Sequence, residues 1–216
     1  FHIYQFHAYD HSTPIEESLE VIYKLIDEGK IKSFGVCNYS PDELRTVIES
    51  FNPSYKDYFV SLGSHINIIE RKVEQQILPI CIENNISILP YRALARGLLT
   101  GKYLHKSKFP VGSRANDSWR VRDSIDSNNL MILKIMSKFS EERNIKTLDI
   151  AIGWLLRNKS IASLVIGARD ENQLSECILS TKILFPNDIF IELDKLLLDS
   201  FFMGRINSNP LVYFEQ

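Results

Sequence analysis

Several side chains stand where their type could do chemistry. His7 closes the apolar run Phe1-His2-Ile3-Tyr4-Gln5-Phe6, and an imidazole at a strand end can donate, accept or titrate near neutral pH. Tyr91 closes a second such run, Ile86 to Tyr91. From about Arg92 to Ser124 the chain is polar and carries Gly97, Gly101, Pro110 and Gly112, the composition of a long loop of the functional kind, with Arg96, Lys102 and Arg114 as cations. Gln173 and Glu176 fall one helical turn apart, on one face. Cys37, Cys81 and Cys177 are odd in number and lack C-x-x-C spacing, so they suggest neither a disulfide framework nor a zinc cage and read as small buried hydrophobes. His2, His11, His65 and His105 have no ligand spacing and are assigned no role.

Composition narrows the chemistry. With 25 Lys and Arg against 27 Asp and Glu the net charge is −2, so nothing drives the whole chain toward a nucleic-acid backbone or an anionic membrane. No apolar run approaches the roughly 18 to 20 residues that span a bilayer, and the start does not read as a signal peptide; the expected location is the cytoplasm. At 216 residues, 44% hydrophobic and 24% charged, the chain is expected to form a single globular domain rather than a disordered tail, a fibre or a coiled coil. It opens at Phe1, inside what reads as a strand and without an initiator Met, so residues upstream are expected.

The elements that must position these side chains follow a rhythm. Strands are predicted near 2–7, 32–37, 58–63, 86–91 and 162–166. Their helices are predicted from Ile15 to Gly29, after Ser40, from Lys72 to Asn84, at 128–143, 148–157 and 170–180, and from Asp188 to about Phe201. Thr13-Pro14-Ile15-Glu16 and Ser40-Pro41-Asp42-Glu43 read as capping boxes, and Asp170-Glu171-Asn172-Gln173 as a third. From His7 to Cys37 is 30 residues, then 26 to Gly63 and 28 to Tyr91, each the length of one βα unit. Repeated units of that length predict a parallel sheet covered by helices. The Gly-x-Gly-x-x-Gly turn of a dinucleotide-binding open sheet is absent, which favours an α/β barrel of the (β/α)8 TIM type, incomplete in this chain, with three of its eight strands missing.

These segments resemble the aldo-keto reductase superfamily. Tyr4-Gln5-Phe6-His7 with Asp10 and Thr13-Pro14 resembles its fourth-strand motif, and Phe34-Gly35-Val36-Cys37-Asn38-Tyr39-Ser40 its fifth. Asn67-Ile68-Ile69-Glu70-Arg71 is similar to the segment after strand six, Pro90-Tyr91 through Gly101-Lys102-Tyr103 to the seventh-strand motif, and Ile166-Gly167-Ala168-Arg169 with Gln173 and Glu176 to the eighth-strand cofactor clamp. The resemblance implies strands four to eight of the barrel, NADPH as cofactor and a small aldehyde or ketone as substrate. It also implies roles. His7 would orient the carbonyl, Tyr91 would stack on the nicotinamide, and Cys37, Asn38 and Gly63 would face its carboxamide. The turn Arg92-Ala93-Leu94-Ala95-Arg96-Gly97, with Lys102, would meet the pyrophosphate. Gly167, Arg114 and Arg169 would border the ribose 2′-phosphate, and Gln173, Glu176 and Cys177 the adenine.

The sequence departs from the family pattern in places. Gly63 stands where Gln is usual, Cys37 where Ser is usual and Cys177 where Asn is usual, while Ala8 and Tyr9 replace Trp-Pro. Of the Tyr, Lys, Asp and His that the family's reaction uses, only the His has a counterpart here; the others would lie before Phe1. Two readings therefore stand: part of an NADPH-dependent reductase, or a non-catalytic cofactor-binding regulatory subunit of the same fold.

Overall fold

The computed structural model describes residues 1–104, 109 and 111–203; His105 and Pro110 lie outside the described residues. The chain divides into two compact units. The first comprises Phe1–His65, Lys72–Tyr91 and Ser160–Leu164, and the second Ile66–Arg71, Arg92–Lys159 and Val165–Gln216.

The first unit is built on strands β1 (Ile3–Phe6), β2 (Ser33–Cys37), β3 (Phe59–His65) and β4 (Ser87–Tyr91), paired in that order and all parallel. The register sets Gln5 beside Gly35, Gly35 beside Ser61, and Ser61 beside Ser87. This row must be narrow, because a Cβ on Gly35 would stand 2.3 Å from Ser61 Oγ and 2.5 Å from its carbonyl oxygen. The Gln5 amide fills the remaining space and donates to Ser61 Oγ at 2.8 Å. Below it Phe34, Val36, Leu62 and Ile88 are fully buried, as both faces of a parallel sheet require.

Helix α1 (Ile15–Asp27) buries the predicted stripe Ile15, Leu19, Ile22 and Ile26, and Gly29 ends it at a left-handed φ of 67°. Helix α2 (Pro41–Glu49) carries the complete Ser40–Glu43 capping box, both reciprocal bonds present. The box predicted at Thr13 does not form. Asp10 takes the Thr13 hydroxyl at 2.9 Å together with the Ser12 hydroxyl and N–H, and these bonds hold its carboxyl below the ordinary range. Glu16 accepts instead from Ser50 Oγ at 2.7 Å. The helix predicted from Lys72 to Asn84 is broken into α3 (Lys72–Gln76) and α4 (Leu78–Glu83), because Pro79 has no N–H to continue the ladder and sits in the first turn of a new helix. The strand predicted at 162–166 is likewise absent. Its pairing with β4 is one bridge, Ile161 to Ile88, and Ala162, Ser163 and Val165 are exposed, whereas a parallel strand needs both faces covered.

In the second unit α5 (Arg114–Asp117) and α6 (Trp119–Asp123) are short, and α7 (Ser127–Arg143), α8 (Thr147–Leu156), α9 (Glu171–Ser180) and α10 (Asn187–Phe202) form its body. Its polar anchor is Asp194, fully buried on the apolar face of α10. Asp194 accepts from Arg71 at 2.6 Å, Arg157 at 2.8 Å and the Trp154 indole at 3.2 Å, and both guanidiniums lie within 5 Å of the Trp154 ring centroid. Removing the carboxylate takes away the anion that bridges two guanidiniums, 7% and 16% exposed. Asp194→Ala is expected to cost about 3–5 kcal/mol, read as a lowered urea midpoint. A loss under about 1 kcal/mol would mean that water reaches the guanidiniums and that the network adds little.

Candidate functional site

In the first unit the strands run one way, so the residues that end them share one rim. His7 follows β1, Asn38 follows β2, and His65 and Tyr91 are the last residues of β3 and β4. Asn38 ties the rim together. Its N–H donates to Gly63 O at 3.0 Å, its Nδ2 donates to His7 O at 2.8 Å, and its Oδ1 accepts the Tyr91 hydroxyl at 2.5 Å. These bonds hold it at a left-handed φ of 62°, a conformation that Asn tolerates better than most residues. An amide offers two N–H donors and a carbonyl with two lone pairs, so one of each is left for a ligand. The His65 ring stacks on Tyr91 with centroids 5.6 Å apart and planes 17° apart. The His7 side chain is exposed.

The departures from the family pattern fit one another. Burial pushes the Cys37 thiol up from its usual pKa, only partly offset by the Asn38 N–H, so it stays neutral. A Cβ at Gly63 would lie 2.9 Å from Cys37 Sγ. The sulfur thus occupies space next to the position where a glutamine was expected.

In the second unit the turn after Tyr91 is backbone in an uncommon conformation. Arg92, Ala95, Arg96 and Gly97 have φ of 52°, 46°, 58° and 95°. The Ala95 and Gly97 N–H groups close onto Arg92 O and Leu94 O, both at 2.8 Å, so these two predicted pyrophosphate donors are already used. Asn67 holds the start of the turn, donating to Arg92 O at 3.0 Å while its Oδ1 accepts the Ile69 and Glu70 N–H groups. Ala93 is buried and Leu94 half-buried, so both anchor the turn through their side chains. Lys102 folds back over it, its Cε and Nζ 3.0 Å from where a Gly97 Cβ would be.

Arg96 shows the electrostatic character of this region. Burial, then repulsion from Arg92, Arg114 and Arg120, lowers its pKa, while its Nη1 donates to Arg120 O at 3.1 Å. Four guanidiniums thus gather around one turn. Beside it the Tyr103 hydroxyl is fully buried with no hydrogen-bond partner among the described residues, and the ring lies 3.7 Å from the Gly97 Cβ position. Gathered cations and an orphaned buried hydroxyl suit a polyphosphate-bearing cofactor.

The remaining predicted contacts lie nearer the end of the chain. Arg169 pairs with Asp117 of α5 at 3.0 Å and donates to Gly112 O; α5 begins at Arg114, itself exposed. Gly167 is exposed, with no atom of the described residues within 4 Å of its Cβ position. Asp170 caps α9, its Oδ1 accepting the Gln173 N–H at 2.9 Å, while the Gln173 Nε2 donates to Asp170 Oδ2 at 2.7 Å and its Oε1 accepts the Arg169 N–H at 3.2 Å. Glu176 pairs with Lys146 at 3.3 Å. Cys177 is buried, and burial together with Glu176 raises its pKa.

Sequence reasoning missed the stacking of His65, the Gln5–Ser61 bond and the Asp117 counter-charge. Only Gln5 carried a sequence signal, as a polar residue in the middle of an apolar strand. Among the described residues no group of three His, Cys, Asp or Glu could hold a metal, and no helix is long and apolar enough to cross a membrane.

Residues 1–198 match the Aldo/keto reductase family, and the chain belongs to that family. It is 26% identical over 212 residues to an L-glyceraldehyde 3-phosphate reductase of Escherichia coli O157:H7, covering 95% of this chain and 59% of that protein. It is 29% identical over 176 residues to an NADH-specific methylglyoxal reductase of Escherichia coli K12, covering 79% of this chain and 50% of that one. Among solved structures it resembles a glycerol dehydrogenase from Gluconobacter oxydans at a TM-score of 0.76 and 28% identity, over 92% of this chain and 59% of that chain. The chain thus spans about half to three-fifths of the length of these relatives. Its parallel α/β sheet is that of a TIM-barrel aldo/keto reductase.

The contact between Gly63 and Cys37 can be tested directly. Gly63→Ala should destabilise by about 1–3 kcal/mol through overpacking, and most of that loss should return in a Gly63→Ala, Cys37→Ala double variant. Additive losses in thermal or urea melts would mean that the two side chains do not compete for space.

Proposed function

We propose that the protein is a cytoplasmic oxidoreductase that uses NADPH to reduce a small aldehyde or ketone to an alcohol, its residues forming one aldo/keto reductase domain. In this reading β1 to β4 correspond to strands four to seven of the barrel. The observation that carries it is the rim on which Asn38 joins His7, Gly63 and Tyr91, in a chain of this family.

Bound at such a rim, the nicotinamide supplies the hydride. His7 orients the carbonyl from its exposed position after β1. Tyr91 offers a ring held by a hydrogen bond at its hydroxyl and by His65 on one face, which suits stacking against a flat heterocycle. Asn38 and Cys37 line the carboxamide side. Phosphate charge is met by Lys102 and the guanidiniums around Arg96. Arg114 and Arg169 meet the 2′-phosphate, and Gln173, Glu176 and Cys177 border the adenine. The family's proton-donating Tyr, with its Lys and Asp, has no counterpart among the 216 residues. The proposal for this chain by itself is therefore cofactor binding, and carbonyl reduction belongs to the whole protein.

A relative named as NADH-specific keeps the choice of cofactor a real question. Arg169 decides it. Charge-assisted bonds from Arg169 to a 2′-phosphate are worth about 1.5–3 kcal/mol, and opening its exposed pair with Asp117 offsets about 0.2–1 kcal/mol of that. Arg169→Ala is thus expected to weaken NADPH binding by about 1–2 kcal/mol and leave NADH nearly unchanged, in titrations followed by cofactor fluorescence. Equal losses for both cofactors would assign Arg169 to a group they share and remove the 2′-phosphate reading.

A further inference from the structure

We propose that Asp117 is a specificity-determining residue that moves cofactor preference away from NADPH and toward NADH. The inference rests on the reading above, in which Arg169 and Arg114 face the adenosine ribose. It adds a residue of opposite charge to that site.

Arg169 meets any ligand with its fork already engaged. Nη2 donates to Asp117 Oδ2 at 3.0 Å and Nη1 to Gly112 O, so its charge is countered by a carboxylate before a phosphate arrives. Asp117 lies three residues after Arg114 on α5, so the carboxylate that pairs with Arg169 sits on the same short helix as the other cation assigned to the 2′-phosphate. The Arg169 and Asp117 side chains are 48% and 65% exposed. A pair that open to water changes an equilibrium constant by no more than about fivefold, which a ligand can overcome.

The two cofactors place opposite demands on that carboxylate. A phosphate monoester carries close to two negative charges at neutral pH, so NADPH must either displace Asp117 from Arg169 or share the fork with it. NADH brings two ribose hydroxyls, which donate to a carboxylate as they do to the acidic residue of dinucleotide-binding folds. The same side chain that opposes one cofactor therefore helps the other. A merely structural role predicts the opposite sign. If Asp117 only held Arg169 in place, its removal would release the guanidinium and weaken NADPH.

The experiment titrates NADPH and NADH separately against the 216-residue chain and its Asp117→Asn, Asp117→Ala and Arg169→Ala variants, at low and at raised salt, with melts to confirm folding. Asp117→Asn and Asp117→Ala are expected to tighten NADPH by about fivefold and to weaken NADH by about twofold, with the NADPH gain shrinking in salt. Weaker NADPH binding, or an unchanged ratio of the two affinities, overturns the role of Asp117. The control separates this failure from that of the underlying reading. Selective loss of NADPH in Arg169→Ala keeps the 2′-phosphate assignment whatever Asp117 does, whereas equal losses there, or no binding of either cofactor to any of the proteins, overturn both.

Discussion

Parallel strands cannot be joined by a tight turn. Each must be followed by a crossover, and that constraint orders the whole of the first unit. Helices α1, α2 and the pair α3 and α4 exist to return the chain to the start of the next strand, and their buried stripes cover the sheet they cross. The same constraint puts every strand end on one side. His7, Asn38, His65 and Tyr91 come from four separate segments, yet they need no special device to meet, because the ladder has already brought their backbones side by side. What remains to local chemistry is orientation. Asn38 supplies it, since a residue in a left-handed conformation with a short amide can reach the carbonyl after one neighbouring strand and the hydroxyl at the end of another.

Close approach in the sheet depends on small residues at adjoining positions. Gly35 admits Ser61, Ser61 receives Gln5, and Gly63 leaves space for the Cys37 sulfur. These residues form one packing solution, so the departures of Cys37 and Gly63 from the family pattern are coupled. A glutamine at 63 beside a cysteine at 37 would crowd the sulfur. The second unit uses a different device, an ion network in which one carboxylate on α10 gathers Arg71 and Arg157 around Trp154. That network sets direction as well as energy, because only one rotation of α10 aims Asp194 at both guanidiniums.

The sequence made the periodic features legible and concealed the competitive ones. The stripe of α1 and the box of α2 could be read because their signals are local and unopposed. Thr13 had the same local signal, but Asp10, three residues earlier, offered its hydroxyl a charged acceptor. Pro79 was visible in the sequence and was outweighed by the apolar spacing of Val73, Ile77, Ile80 and Cys81. Ile161 to Ile166 looked like a strand by composition, yet composition cannot say whether both faces will be covered. The site residues were legible through motif resemblance, while their partners were not. Glu176 pairing with Lys146 and Arg169 pairing with Asp117 are long-range choices that leave no trace in spacing, whereas the bond from the Gln173 N–H to Asp170 was legible as a local box. Asp194 did leave a trace: it stands four residues after Phe190 and three before Leu197, on a face that is otherwise buried and apolar.

The two units carry unlike electrostatics. The strand-end rim is held by neutral groups: the Asn38 amide is bonded at its nitrogen and at its oxygen, and the Cys37 thiol is kept neutral by burial. The turn at Arg92 to Gly97 is costly as it stands. Left-handed Arg92, Ala95 and Arg96 cost roughly 1–2 kcal/mol each in backbone energy, and Arg96 adds burial and three like-charged neighbours. Such a turn persists only because other groups hold it, here Asn67 at one end and the Arg120 carbonyl at the other. An anion placed beside such a turn would offset the repulsion without rebuilding the backbone. Strain and like-charge repulsion are concentrated at this turn of the second unit, whereas the rim of the first is held by bonds already made.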